Sequence, residues 1–200
     1  MTWRDIHGQE TAVRRLRRAV DAGKLGHALL FTGPEGVGKS FTAEVLAKAL
    51  LCLGRDGGEA CGVCDSCRRV DAGSHPDLRR IVTDGNWLKV DQIRGQVQQD
   101  AFYKPMLGPA KVYVIDPAEA LTAGAANSLL KILEEPPSAV VLILIAVQPF
   151  ALLETIRSRC QEIRFRAWPV GELAAWLAAR LDLPEVEART LARLADGRPG

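Results

Sequence analysis

Two hundred residues, 48% hydrophobic but only 6% aromatic, allow one or two domains whose core is built from Leu, Val, Ala and Ile. A formal net charge of +2 argues neither for nor against nucleic acid, since a stand-alone DNA-binding domain is usually more basic. The longest apolar run, Ala139 to Val147, is half the roughly 18 residues of a membrane span, and "TWRDIHGQE" after Met1 has no apolar h-region. The expectation is a cytoplasmic chain, without membrane association, whose cysteines form no structural disulfides.

In chain order, "AVRRLRRAVDAG" places Val13, Leu16 and Val20 on one helical face and four arginines on the other, with Gly23 and Gly26 bracketing its end. "HALLFTG" is an apolar run ending in glycine, the pattern of a central parallel strand. Lys39 to Leu53 alternates Ala and Leu at helical spacing. Gly54 to Ser74 is rich in Gly and Asp and reads as an insertion. "DLRRIV" predicts a strand over 77–82, and Asp91 to Ala101 a helix with Asp91 as its cap. "KVYVID" is a second buried strand. "TAGAANSLLKILEEPP" is a helix with Ala126, Leu129, Leu130 and Leu133 inward, stopped by two prolines. "AVVLILIAV" is a third central strand, "LLETIRSR" a short helix and "QEIRFR" a further strand. From Trp168 on, "ELAAWLAARL" and "EVEARTLARLA" are purely helical.

Strands alternating with helices mean an α/β fold with a parallel sheet. The switch to pure helix divides the chain into residues 1–166 and a helical domain over 167–200. The last residues, "ADGRPG", stop in mid-pattern, so a chain cut within a longer protein is expected. There is no internal repeat or low-complexity tract.

Gly33, Gly36, Gly38, Lys39 and Ser40 satisfy G-x-x-x-x-G-K-[ST], between a buried strand and a helix. The glycines let backbone N–H groups face phosphates, Lys39 can reach β and γ oxygens, and the Ser40 hydroxyl can ligate Mg²⁺. With Val37 and Phe41 completing the segment, these residues form a candidate site for ATP or ADP. The bland alternative is a Gly-rich turn that matches by chance. Asp116 ends a hydrophobic strand, where a carboxylate can hold Mg²⁺ through water. The next position, which often carries a water-orienting glutamate, is Pro117. Glu119 opens a helix, where its expected role is favourable charge at an N-terminus. Holding the nucleotide and splitting it therefore come apart.

Cys52, Cys61, Cys64 and Cys67 follow C-x8-C-x2-C-x2-C. Four thiolates can close a tetrahedral zinc site, and a metal explains order in a stretch with almost nothing apolar to fold around. The alternatives are incidental thiols or a redox pair. Nothing nearby completes an open catalytic position, so the expected Zn²⁺ is structural. Cys160 reads as a buried core thiol.

At this point the residues resemble a family. "GHALLFTGPEGVGKS", the four-cysteine insertion, "AANSLLKILEEPP" and "TIRSRCQEIRF" resemble, in order and over essentially the whole length, the bacterial AAA+ clamp-loader ATPases of DNA polymerase III. Within that family "SHPDLRRI", "LKVDQIRGQVQQ", Pro117 and Ala146-Val147 are more similar to delta-prime than to gamma/tau subunits. Gamma/tau typically has an Asp-Glu pair at 116–117 and threonines as a γ-phosphate sensor at 146–147. The intact loop counts the other way, because some delta-prime subunits have lost theirs. The resemblance implies a five-stranded parallel AAA+ sheet with a zinc-binding insertion at about 52–76 and a small helical lid beginning near Ala167. It implies a helical collar domain and a lid arginine beyond "ADGRPG". It also implies assembly with gamma/tau and delta subunits, and through them contact with the sliding clamp and primer-template DNA. The arginine of the Ser158-Arg159-Cys160 triplet then reaches a neighbour's ATP site. Three readings follow: an ATP-holding, weakly hydrolysing stator, a gamma/tau-type motor ATPase, and a zinc-dependent interaction protein with a vestigial loop.

Overall fold

The computed structural model describes residues 1–83 and 85–200. Its elements are helix α1 (Glu10–Asp21), strand β1 (Ala28–Thr32), α2 (Lys39–Leu51), α3 (Asp65–Asp71) and β2 (Leu78–Ile81). After these come α4 (Val90–Ile93), β3 (Lys111–Ile115), α5 (Ala123–Glu134), β4 (Val140–Ala146), α6 (Glu154–Arg157) and β5 (Gln161–Arg164). Two helices, α7 (Val170–Leu181) and α8 (Glu185–Leu194), close the chain.

The five strands form one parallel sheet in the order β2-β3-β4-β1-β5. Each central strand is apolar on both sides, so alternate residues feed two cores. Leu30, Tyr113, Ile115, Leu142 and Leu144 pack with Ile93, Val97, Leu129 and Ile132 beneath α4 and α5. Phe31, Val112, Val114, Ile143 and Ile145 pack with Leu16, Val20, Leu46 and Trp3 beneath α1 and α2. Burial on both faces is why these strands read as continuous apolar runs rather than alternating ones. Beyond the sheet, Trp168, Leu173, Ala174 and Ala192 form a separate small cluster between α7 and α8. Among the described residues, no helix is long and apolar enough to cross a membrane.

Several local expectations are corrected. On α1, Ala12 rather than Val13 joins Leu16 and Val20 in full burial. On α5, Ala125 and Ile132 point inward, whereas Leu130 is only partly buried. The helix expected from Asp91 begins at Val90 behind Lys89, so Asp91 lies in its first turn and is not its cap. That helix does not stay regular: it widens into π turns over Arg94–Gln99 and tightens into a 3-10 turn at Asp100–Phe102. The tertiary anchor lies at this transition, where the Asp100 carboxylate accepts from Tyr113 Oη at 2.6 Å and pairs with Lys111 Nζ at 3.0 Å.

The insertion is also less bare than its composition indicates. It contains α3, whose Val70 is buried in the α1–α2 core. Lys48 Nζ lies 2.6 Å from the Asp71 carboxylate, and Trp3 Nε1 donates to Gly58 O at 3.0 Å. A buried chain of hydrogen bonds supports the same region. His75 Nδ1 accepts from Asp77 N, which leaves Nε2–H to donate to Ser66 Oγ, and Ser66 Oγ donates to Leu51 O at 2.6 Å.

Candidate functional site

A parallel sheet presents the carboxyl ends of its strands at one edge, where ligands gather. Here β1 runs into Gly33 and β3 runs into Asp116. Gly38, at φ 91°, is the N-cap of α2, a backbone conformation that favours glycine. Gly33 has φ 143°, and a Cβ there would stand 2.3 Å from Phe165 O. The loop therefore turns tightly and aims the N-terminus of a 13-residue helix outward, with its unpaired N–H groups and positive dipole end.

These groups line a cleft of about 750 Å³, bordered by Gly36, Lys39, Ser40, Phe41, Asp116 and Glu119. Ser40 Oγ donates to Asp116 Oδ2 at 2.6 Å, so the two candidate magnesium-holding groups are in contact. Lys39 is buried, and its ammonium donates to Gly33 O and Pro34 O at 2.7 and 2.6 Å. Burial holds its pKa below the usual lysine value, opposed by the charges of Asp116, Glu119 and Glu35. Val37 is 1% exposed, so its side chain belongs to the core and it can offer a ligand only backbone.

Glu119 differs from expectation. It sits in a three-residue 3-10 turn, and its Oε1 accepts from Val147 N at 2.8 Å and Gln148 N at 3.2 Å. It thus ties the turn after β3 to the end of β4, rather than serving a helix N-terminus. Pro117 brings no side-chain acceptor to the cleft.

The four insertion cysteines converge. Their sulfurs all lie within 4.8 Å of one another, with Cys52–Cys64 and Cys61–Cys67 both 4.0 Å apart. A tetrahedral site with Zn–S bonds of about 2.3 Å needs sulfurs about 3.8 Å apart, so the set fits zinc with little movement. Cys52 caps the end of α2 and Cys64 is the N-cap of α3. Backbone N–H groups aim at the sulfurs: Cys61 N at Cys52 (3.2 Å), Cys64 N at Cys61 (3.4 Å) and Cys67 N at Cys64 (3.4 Å). The backbone N–H groups of Val63 and Cys64 pull the Cys61 thiol down to about 6, while burial pushes Cys52 and Cys67 up.

Metal binding needs thiolates, so affinity falls as pH falls. These opposite shifts favour the thiolate at Cys61 and the thiol at Cys52 and Cys67. Zinc uptake at pH 7 is therefore expected to release at least about two protons per chain. Calorimetric titration in buffers of different ionisation enthalpy measures this; a heat independent of buffer would exclude protonated cysteines as ligands.

Arg159 follows α6 in an exposed turn. Its Nη1 donates to Thr155 O at 2.9 Å and its Nη2 pairs with Glu134 Oε1 at 2.9 Å. Cys160 is partly buried against the core, and burial pushes its thiol up to about 12.

A family model described as DNA polymerase III, delta subunit, matches residues 8–169. The chain belongs to this family. Among curated relatives, the delta-prime subunit of DNA polymerase III from Bacillus subtilis is 41% identical over 83% of the chain and 50% of its own length. That from Pseudomonas aeruginosa is 42% identical over 86% of the chain and 53% of its length. The tau subunit from Escherichia coli is 36% identical over the whole chain and 31% of its length. The chain thus spans about half the length of the delta-prime relatives. Of solved structures, a Thermotoga maritima gamma subunit-related protein aligns with TM-score 0.54 at 21% identity over 92% of the chain and 58% of its own. The Thermotoga maritima RuvB Holliday junction branch migration motor gives 0.60 at 16%, over 96% and 58%. At these identities the two structures show a shared fold and nothing more.

This member of the DNA polymerase III delta-subunit family has cleft residues that sequence reasoning missed. His7, Trp168 and Trp176 also line the cleft, with ring centroids 5.6–6.3 Å apart. Gly8 (φ 68°) lets Trp168 approach, because a Cβ there would fall 2.2 Å from the indole. Buried Gln9 bridges Val37 O and both backbone groups of Arg166. No local motif marks these residues. Trp168 served only as a boundary marker, and chain folding brings it to His7.

Proposed function

We propose that this chain is the delta-prime-type subunit of a DNA polymerase III clamp loader: it holds ATP or ADP, hydrolyses it weakly or not at all, and lends Arg159 to a neighbouring gamma/tau subunit. The observation that carries this reading is the asymmetry of the cleft. The phosphate loop, Lys39, Ser40 and Asp116 stand together, yet position 117 has no carboxylate, and neither Ala146 at the end of β4 nor Val147 after it has a polar side chain. Glu119 also lines the cleft, but its Oε1 is engaged by two backbone N–H groups, and only its buried Oε2 has no partner.

In this reading the loop amides and Lys39 take the phosphates, the ammonium leaving the two loop carbonyls it now occupies. Ser40 and Asp116 hold Mg²⁺, which supplies charge neutralisation at the β and γ oxygens. The rings of His7, Trp168 and Trp176 line the same cleft. Residues 1–166 form the nucleotide-binding domain and 167–200 the start of the lid. Delta, the sliding clamp and primer-template DNA are partners of the assembled loader. Zn²⁺ on the four cysteines is structural, because a full set of thiolates leaves no position for substrate.

The gamma/tau-type motor is the second reading, favoured by 36–37% identity to tau chains across nearly the whole length. Nucleotide titration followed by single-turnover hydrolysis separates the two. Tight binding with a bound triphosphate that persists for many minutes supports the stator; turnover within seconds supports the motor. Lys39→Ala should weaken nucleotide binding at least tenfold, about 1.4 kcal/mol or more, read from quenching of Trp168 and Trp176. Equal affinity in both proteins would show the loop to be vestigial.

A further inference from the structure

Arg159 does not hang free. Its guanidinium is held at two points: Nη1 on Thr155 O at 2.9 Å, within α6, and Nη2 on Glu134 Oε1 at 2.9 Å, across from α6. Glu134 is the last residue of α5, followed by Glu135 as C-cap. Carboxylates at that end oppose the helix dipole, so the local helix does not account for Glu134. Both partners of the pair stay partly exposed, Arg159 at 37% and Glu134 at 50%. With a longer bond from Nη1 to Ser158 Oγ at 3.5 Å, three of the five guanidinium donors are engaged, and two remain available to an incoming anion.

We propose that Glu134 is a positioning residue for Arg159: it fixes the guanidinium between α5 and α6 before a neighbouring subunit presents its triphosphate. This rests on the trans-acting reading of Arg159. A free arginine populates many rotamers, and holding it in one removes that disorder from the encounter. The pair is not a restraint that keeps Arg159 away. An exposed ion pair shifts populations by about fivefold at most, whereas a phosphate offers charge-assisted bidentate bonds.

The test uses the full-length chain reconstituted with its partner subunits, with ATP hydrolysis followed in Glu134→Ala, Glu134→Gln, Arg159→Ala and the double variant Glu134→Ala/Arg159→Ala. Glu134→Ala should lower kcat at the adjoining site by about three- to fivefold with KM unchanged. Glu134→Gln, which keeps an acceptor but not the charge, should fall between it and the parent. The double variant should be no slower than Arg159→Ala alone, because the two residues act as one unit. An unchanged kcat in Glu134→Ala, a faster one, or losses that multiply in the double variant would each overturn the proposal. The two levels separate cleanly. If Arg159→Ala itself is without effect, the trans-acting reading falls and the positioning role with it. If Arg159→Ala slows hydrolysis and Glu134→Ala does not, only the positioning role is lost.

Discussion

Arg159→Ala in a loader reconstituted from full-length subunits is expected, on the proposed trans-acting role, to slow hydrolysis at the adjoining site by about 10³-fold. In that role the guanidinium would neutralise charge that builds on the γ-phosphoryl oxygens, and alanine puts nothing in its place. Sites completed by other subunits would keep their turnover in the proposed loader, so clamp loading is measured beside hydrolysis. Nucleotide binding to this chain's own cleft should not change, because Arg159 lies in the turn beyond α6 and is not among the residues lining that cleft. The competing role is an ordinary surface ion pair with Glu134, worth under about 1 kcal/mol. Normal assembly with normal loading in the variant would leave only that role.

The second large effect belongs to the cysteine cluster. Stripping the metal, or replacing Cys64 by Ser, should loosen the insertion while the sheet stays folded. The physical reason is local. A seven-residue helix such as α3 cannot hold itself in water, and Cys64 and Cys67 sit at its N-cap and within its first turn. Structural zinc in small modules is worth about 10 kcal/mol or more in apparent binding energy, of which the insertion draws only a part. Val70, Ser66 and Asp71 keep their contacts with the body of the domain, so loss should stop at its edge. Hydrogen exchange should accelerate on the order of 100-fold for amides in 54–74 upon chelation, with β3 and β4 unaffected. One zinc per chain in protein purified without added metal is the companion expectation. Stoichiometry near zero in fully reduced protein, or exchange indifferent to chelation, would remove the structural role.

Much of the candidate site was legible because its signals are local in sequence. The phosphate loop needs a buried strand, glycines that tolerate left-handed backbone and a following helix, and all three fall within Ala28 to Leu51. The cysteines declare themselves by spacing, and the structure brings their sulfurs within 4.8 Å. Glu119 was misread for the complementary reason. Along the chain it follows Asp116 and precedes a helix. In space, β3 lies beside β4, and the pairing of Ile115 with Leu144 carries the following turns to each other, so Glu119 meets Val147 and Gln148. The irregular helix over 90–102 was missed likewise. Its pattern is helical, but the pull of Tyr113 and Lys111 on Asp100 is set by a strand packed beside it.

By itself, then, the sequence determined the strand and helix types, the phosphate loop, the thiolate set and the missing acid at 117. Each of these depends on residues close together in the chain, through backbone conformation, hydrophobic period or ligand spacing. The tertiary structure alone decided which distant groups share the cleft. His7, Trp168 and Trp176 join the phosphate loop there, Gly8 admits the Trp168 indole, and beside the cleft Gln9 bonds Arg166 across 157 positions. It also decided that Arg159 is held by Glu134, since that pair exists only where α5 and α6 pack together. Such contacts follow from strand order and helix packing, which depend on the whole core at once and leave no mark in any short stretch of residues.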